Sequence, residues 1–313
     1  METVFDIAVI GGGPAGLNGA LQLARSRRSV VVLDAGEPRN APAAAVHGFF
    51  TRDGTPPAEL LAAGRAEVMA YGVELRHARV VGVTGEAGAF TLALEGAASI
   101  TARRILLTTG LVDELPDLPG VRELWGDQVI HCPYCHGWEV RDRRIGVIAT
   151  SPMATHQALL FRQLSDDIVV FAHTTPPDDE QRADLEARGV TIIDGPVAGL
   201  DIADGRLQGV RMAAGEVVAV EIVVVAPRFA ARSGLVAELG VELAEQPGIG
   251  VRVVADPFGR TNVAGVWAAG NVTDMSAQVG TSAAAGALAG AHINADLVTE
   301  DVRRARAAAP STT

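Results

Sequence analysis

The sequence predicts an α/β fold of two doubly wound units, one discontinuous and the other inserted into it. Three observations predict it. A continuous apolar run at residues 5–10 leads straight into Gly11-Gly12-Gly13-Pro14-Ala15-Gly16 and a helical stretch. A second strand-turn-helix pattern begins at Ile145. Gln246-Pro247-Gly248 then reads as the linker by which the chain returns to the first unit. With 313 residues, 48% hydrophobic and 20% charged, the chain is long enough for two cores and is neither disordered nor collagen-like.

Residues 5–10 suit a parallel strand buried on both faces. Residues 17–25 are helical in composition, and 29–33 form a second apolar strand ending at Asp34. A GxGxxG alone is a weak signal. Here a strand precedes it, a helix follows it, and an acid lies 18 residues beyond Gly16, which makes the signal specific for a dinucleotide. Gly11 permits the tight turn, Gly13 lets the backbone approach a pyrophosphate, and Gly16 lets helix and strand pack closely. The helix N-terminus offers free N–H groups and Asp34 accepts from ribose hydroxyls; the alternative is a glycine turn without ligand.

Short strands are expected over 79–83, 90–94 and 105–108, with Pro116 and Pro119 marking a hinge after Thr108-Thr109-Gly110. The second unit reads as a strand at 145–148, a helix at 154–164 and a strand at 167–171. Its turn lacks glycine: Ala149-Thr150-Ser151-Pro152-Met153-Ala154 stands where GxGxxA is expected. Residues 222–226 end that unit. A last strand at 263–269, then Gly270-Asn271, precedes a helix at 278–297 whose first half is mostly alanine and glycine. Such a helix fits close to a flat ligand or a neighbouring strand, or forms part of a tight core.

A formal net charge of −11, from 26 basic and 37 acidic residues, argues against nucleic acid or an anionic membrane as partner. Every basic residue is arginine, so Schiff-base chemistry and a P-loop lysine are excluded. No apolar run of about 18 residues exists, and residues 1–6 are too short and acidic for a signal peptide, so a cytoplasmic protein is expected. The two cysteines, Cys132 and Cys135, stand three positions apart. In a reducing compartment that spacing favours a working redox pair over a structural staple. Structural zinc would need two more ligands, and His131 and His136 lie too close in sequence to complete a tetrahedron, so no metal is expected.

The N-terminal GxGxxG, the central Cys132-Pro133-Tyr134-Cys135, the degraded second nucleotide turn and the late Gly270-Asn271 together resemble a low-molecular-weight thioredoxin reductase, over essentially the whole chain. More narrowly, Cys132-Pro133-Tyr134-Cys135-His136-Gly137 is similar to the branch of FAD-dependent dithiol oxidases that close disulfides in gliotoxin, holomycin and related natural products. Thioredoxin reductases proper carry aspartate where this chain has His136. The resemblance implies two nucleotide-binding (Rossmann-like) domains. One is a discontinuous FAD-binding domain at 1–113 and 247–313; the other is an inserted, degenerate NAD(P)-type domain at 114–246 that carries the CxxC. A homodimer is implied as well.

Residue by residue, the resemblance implies that Gly11, Gly13, Pro14, Ala15 and Gly16 form the FAD phosphate loop and Asp34 the ribose acid. Arg39 and Asn40 fall near the pyrophosphate, His47 near the flavin, and Thr109 and Gly110 at the family's Thr-Gly turn. Gly270 and Asn271 match the pair that holds the ribityl chain; asparagine in place of aspartate keeps an acceptor and loses a charge. Gln278 and Val279 open the helix whose positive end would face the flavin pyrimidine.

The nicotinamide side departs from the pattern. Ala149 and Ser151 put side chains where phosphates would sit. The stretch 171–180, where a basic cluster normally reads the 2′-phosphate, offers His173 and three consecutive acids, with no arginine before Arg182. This argues against NADPH binding.

At the pair, a CxxC opening a helix gains from the dipole and its N–H groups, which lower a thiol pKa. By resemblance Cys135 faces the flavin and Cys132 meets the substrate. His136 is the natural proton handler, or else a polar cap. His131 is a second reactive group or plain packing, Tyr134 and Trp138 wall an apolar pocket or fill core, and His156 is structural. The expected reaction is oxidation of a small-molecule dithiol, electrons passing to FAD and then O2 to give H2O2. The alternative is an NADPH-dependent, thioredoxin reductase-like disulfide reductase. A third reading is a flavoprotein that senses thiol state without fast turnover.

Overall fold

The computed structural model describes residues 4–309; the parts of the expected domain limits at 1–3 and 310–313 lie outside the described residues. The first stretch of chain forms β1 (Val4–Ile10), α1 (Pro14–Arg25), β2 (Val30–Asp34), α2 (Pro57–Ala70), β3 (Glu74–His77), β4 (Val80–Glu86), β5 (Ala89–Leu94), β6 (Ala97–Leu107) and β7 (Leu111–Glu114). The middle stretch forms β8 (Val129–Ile130), α3 (Pro133–His136), β9 (Ile145–Ile148), α4 (Ala154–Phe161), β10 (Ile168–Ala172), α5 (Asp179–Ala187) and β11 (Thr191–Asp194). It continues with β12 (Val197–Ala203), β13 (Arg206–Met212), β14 (Val217–Ala219) and β15 (Ile222–Val224). The chain then returns through β16 (Arg228–Ala231), β17 (Leu243–Gln246), β18 (Gly250–Val253), β19 (Val266–Ala268) and α6 (Val279–Ala308).

The apolar run of β1 is buried because it is central: it pairs in parallel with β2 on one side and β6 on the other. The first sheet runs β3-β2-β1-β6-β5-β4, and β19, from the far end of the sequence, pairs in parallel with the end of β6. One face packs Ile10, Leu33, Phe90 and Ile105; the other packs Ile7, Val9, Leu23 and Ile293. The alanine- and glycine-rich start of α6 lies against α1. A Cβ on Gly286 would overlap the Ala15 carbonyl, and one on Gly290 would come within 2.8 Å of Gly19 O. That decides between the two readings of this helix, since the small side chains face α1.

The inserted unit holds a parallel sheet, β11-β10-β9-β15-β8, and a three-stranded antiparallel sheet, β12-β13-β14. The acidic run that opens α5 is a capping box: Asp178 accepts from the Gln181 N–H while the Gln181 side chain accepts from the Asp178 N–H.

The chain returns to the first unit earlier than the turn at 246–248 suggests. β16 pairs antiparallel with β7, matching Phe229 to Asp113, and parallel with β18. Val236, in the 3-10 turn Gly234–Leu239, is buried in the first core with Val253. Residues 228–246 therefore pack with the first unit, and Pro247-Gly248 tips the β17–β18 hairpin, in which Gln246 pairs with Gly250. A Pro-Gly turn signal marks a hairpin as readily as a linker, which is why the sequence placed the boundary late.

Candidate active site

A cavity of about 840 Å³ lies between the two units. Its first wall is the turn after β1. Gly11 has φ +108°, and a Cβ there would overlap the Thr108 carbonyl, so only glycine fits. Nothing lies within 4 Å of the Cβ position of Gly13, where the backbone faces open cavity. Gly13 caps α1 without a side-chain bond, and Pro14 at the first helical position lacks an N–H, so the first-turn amides point at the cavity unpaired. Gly16 does not line the cavity; a Cβ there would overlap Gly11 O, so its part is helix–turn packing. Gly12 is constrained as well, because a Cβ on it would sit 2.7 Å from Asp34 Oδ2.

Pro14, Ala15, Asp34, Asn40, Thr109 and Gly110 line the same cavity. Asp34 Oδ1 accepts from the Gly36 N–H at 3.2 Å, and Thr109 Oγ1 donates to the Arg232 carbonyl at 2.7 Å. Arg39 lines it too, but its guanidinium grips Asp113 bidentately at 2.8 and 2.7 Å and lies over the Phe229 ring. Arg39 is thus a tie between the loop after β2 and the β7–β16 ladder, leaving Nη1 directed to Asn271 Oδ1 at 3.4 Å.

At the far wall Gly270, Asn271, Gln278 and Val279 line the cavity, the last two at the start of α6. Asn271 explains its departure from aspartate. Its Nδ2 donates to the carbonyls of Asp274 at 3.1 Å and Ala277 at 2.8 Å. A carboxylate oxygen in that position would face two acceptors with no proton to give. The free glycine-turn amides, the open space at Gly13 and Asp34 at the end of β2 fit FAD as the resident dinucleotide.

Cys132, Cys135 and His136 open onto the same cavity from the inserted unit. The cysteines are joined as a disulfide with Cα atoms 5.3 Å apart. The helix expected to follow the pair is one turn only, Pro133–His136, with Cys132 as its cap, so dipole activation is confined to that turn. Gly137 follows it, where a Cβ would overlap the Pro133 carbonyl and Leu164.

Burial pushes the His136 imidazole below its usual range, with Glu139 opposing and His47 reinforcing the shift. At neutral pH His136 is therefore a neutral base facing the disulfide's cavity. His47 lines the cavity and bridges the units, with Nε2 3.4 Å from Glu139 and Nδ1 3.5 Å from Asp53. His131, half-buried, lines the cavity and meets the Phe229 ring edge-on at 5.3 Å. Burial, aided by the Arg39 charge and opposed by Asp113, pushes its pKa down to about 4. Tyr134 and Trp138 fill neither proposed role: they are 67% and 65% exposed and do not line the cavity, and Arg141 stacks on Trp138.

The second nucleotide turn has closed on itself. The Ala149 methyl is buried in the core of the inserted unit, not in phosphate space, and its N–H donates to Phe171 O. Ser151 Oγ accepts the Met153 N–H at 3.0 Å, using a donor at the start of α4 that a phosphate would otherwise take. Pro152 lies against the tip of the β17–β18 hairpin, 3.0 Å from the Cβ position of Gly248. Neither nearby basic side chain is free: His173 Nδ1 accepts from the Val197 N–H at 2.9 Å, and Arg182 is ion-paired with Asp194.

Residues that the sequence did not single out also line the cavity, among them Gly12, Arg79, Trp125, Arg232 and Met275. They come from separate elements with no shared spacing. Only Gly12, inside the motif, carried a sequence signal.

A family model described as pyridine nucleotide-disulphide oxidoreductase matches residues 5–291. The thioredoxin reductase tcpT of Claviceps purpurea (strain 20.1) is 30% identical over 317 residues, covering 96% of each chain. Thioredoxin reductase sirT of Leptosphaeria maculans is 29% identical over 310 residues, covering 93% of this chain and 94% of that one. Among solved structures, HlmI is 48% identical with a TM-score of 0.92, covering 100% of this chain and 99% of that one. An oxidoreductase from Agrobacterium tumefaciens is 36% identical with a TM-score of 0.89, covering 96% and 99%.

Proposed function

The chain belongs to the pyridine nucleotide-disulphide oxidoreductase family, as a thioredoxin reductase-like, flavin-dependent enzyme that binds FAD, and from that premise we propose that it oxidises a small-molecule dithiol to an intramolecular disulfide. One observation carries the reading. The disulfide and a neutral imidazole share the FAD cavity, while at the turn where a nicotinamide cofactor would bind the Ser151 hydroxyl takes the Met153 N–H.

In the proposed cycle, neutral His136 takes the proton of one substrate thiol. The thiolate attacks the Cys132–Cys135 disulfide; an S–S bond forms to the substrate and the enzyme bond breaks, leaving one cysteine thiolate. The second substrate thiol displaces the first cysteine from the mixed disulfide, which releases the cyclic product and the reduced pair. Held at the glycine turn and Asp34, FAD would supply the two-electron chemistry that returns the reduced pair to the disulfide, with O2 and two protons giving H2O2. The chain's own contribution is to hold the pair at the cavity and to move the proton at His136. The same reading has the enzyme act in the cytoplasm as a homodimer on a free dithiol, with no nucleic-acid or membrane partner. Among the described residues no helix is long and apolar enough to cross a membrane.

The test is anaerobic. Visible flavin absorbance is followed after adding NADPH, NADH or dithiothreitol, and oxygen is then admitted. Bleaching by the dithiol alone, followed by H2O2 on reoxidation, is the expected result. Rapid bleaching by NADPH would make the protein a reductase, as the names of tcpT and sirT suggest for those proteins.

A further inference from the structure

The proposed cycle needs a way out for protons. Each turnover breaks two S–H bonds of the substrate and forms one S–S bond; the two electrons enter the Cys132–Cys135 disulfide and two protons are set free in the cavity. A single neutral imidazole holds one proton at a time, so His136 must be discharged between the first thiol and the second.

Three titratable side chains outside the cycle lead from that base towards water. Glu139 follows His136 by three positions on the inserted unit. His47, on the first unit, stands between two carboxylates, with Nε2 3.4 Å from Glu139 and Nδ1 3.5 Å from Asp53. Glu139 and His47 both act on the charge of His136, in opposite senses, so both lie within its electrostatic reach. The side chain of His47 is 23% exposed, that of Glu139 39%, and that of Asp53, at the outer end, 68%. A small swing turns these contacts into hydrogen bonds, as happens to catalytic contacts when substrate binds.

The outer end is held in place by its own loop. Val46 and Thr55 pair across the base, Gly48 turns with φ +70°, and the Gly48 N–H donates to Asp53 Oδ1 at 2.8 Å. That bond holds the Asp53 carboxyl below its usual range, so a proton arriving there passes quickly to water. Among the described residues no arginine pairs with Glu139 or Asp53. An arginine between them would tie the units more firmly, as Arg39 ties its loop to Asp113, but it could not release a proton. An imidazole takes a proton on one nitrogen and gives it up from the other without moving.

We propose that Glu139, His47 and Asp53 form a proton port, which carries the proton off His136 and delivers it to water between the two thiol steps. None of the three touches the substrate; they act through His136. The proposal rests on the dithiol reading above and adds the route by which its protons leave. Because Glu139 and His47 belong to different units, the port exists only while the two units are docked as they are here.

The experiment follows anaerobic reduction of the FAD-loaded enzyme by dithiothreitol in weakly buffered solution. It reads flavin absorbance and, with a pH-indicator dye, the proton that reaches water. His47→Gln keeps a polar side chain between the carboxylates and cannot relay. In it, bleaching and proton release are both expected to slow roughly tenfold at saturating dithiol, with the half-saturating concentration little changed. Added imidazole should restore most of the loss. Glu139→Gln should lose about as much, and Asp53→Asn, which keeps an acceptor for the Gly48 N–H, should lose less. Wild-type rates in His47→Gln overturn the proposal. A slow His47→Gln that imidazole fails to restore also overturns it, since His47 is then a tie between the units and nothing more. If that variant does not retain flavin, Asp53→Asn decides, and unchanged proton release there overturns the proposal. A wild type that dithiothreitol does not reduce sinks the dithiol reading itself and this inference with it.

Discussion

The turn after β1 and the turn after β9 join the same kinds of element and have opposite relations to water. At residues 11–16 four glycines keep the backbone bare, the cap of α1 has no side-chain partner, and the amides face a cavity. At 149–154 an alanine methyl enters the core, a serine hydroxyl takes a free amide, and a proline docks on a neighbouring hairpin. The first turn is incomplete without a ligand. The second turn takes up one of its own amides with a side chain. A nucleotide site depends on backbone donors left unsatisfied, and each side chain that takes one leaves fewer for a phosphate.

The comparison can be broken most severely at Gly16. Gly16→Val places a side chain on the Gly11 carbonyl and should cost more than about 3 kcal/mol, with loss of bound flavin measured by absorbance of the purified protein. Next comes acid. His131 titrates at about 4 in the folded chain against 6.5 ordinarily, so the unfolded chain binds more protons between those values. Stability should fall as pH drops through that window, by roughly 3 kcal/mol below it. Burial of His136 acts in the same direction. Urea midpoints at neutral and acid pH measure the loss, which His131→Phe should largely remove.

Asn271→Asp is a smaller change, about 2 kcal/mol, because one carboxylate oxygen would meet two carbonyls while Arg39 offers partial compensation. Thermal denaturation and flavin retention would register it. The smallest effect is expected from Ala149→Gly with Ser151→Gly. Flavin content should not change, and NADPH should still fail to bleach the flavin, because Pro152 remains against the hairpin. Restored bleaching would show that two side chains alone had closed the turn.

The motif residues were legible because their chemistry is local. A glycine turn and its helix, a CxxC, and an acid at the end of the next strand all depend on spacing of a few residues, and the cavity gathers Gly11, Gly13, Asp34, Cys132 and Cys135 along one wall or another. The late boundary and the roles of Tyr134 and Trp138 were not legible. A turn signal does not say which strands it joins, and an aromatic side chain does not say whether anything covers it.

By itself, the sequence determined the α/β class, the dinucleotide turn and the redox pair, since each follows from periodicity or from atoms a few bonds apart. Only the tertiary structure decided that Arg39 is held by Asp113, that Asn271 needs its NH2 group, and that Gln157 lies against His131. Those states depend on partners from 3 to 74 positions away along the chain, where folding sets desolvation and hydrogen-bond direction and sequence spacing does not.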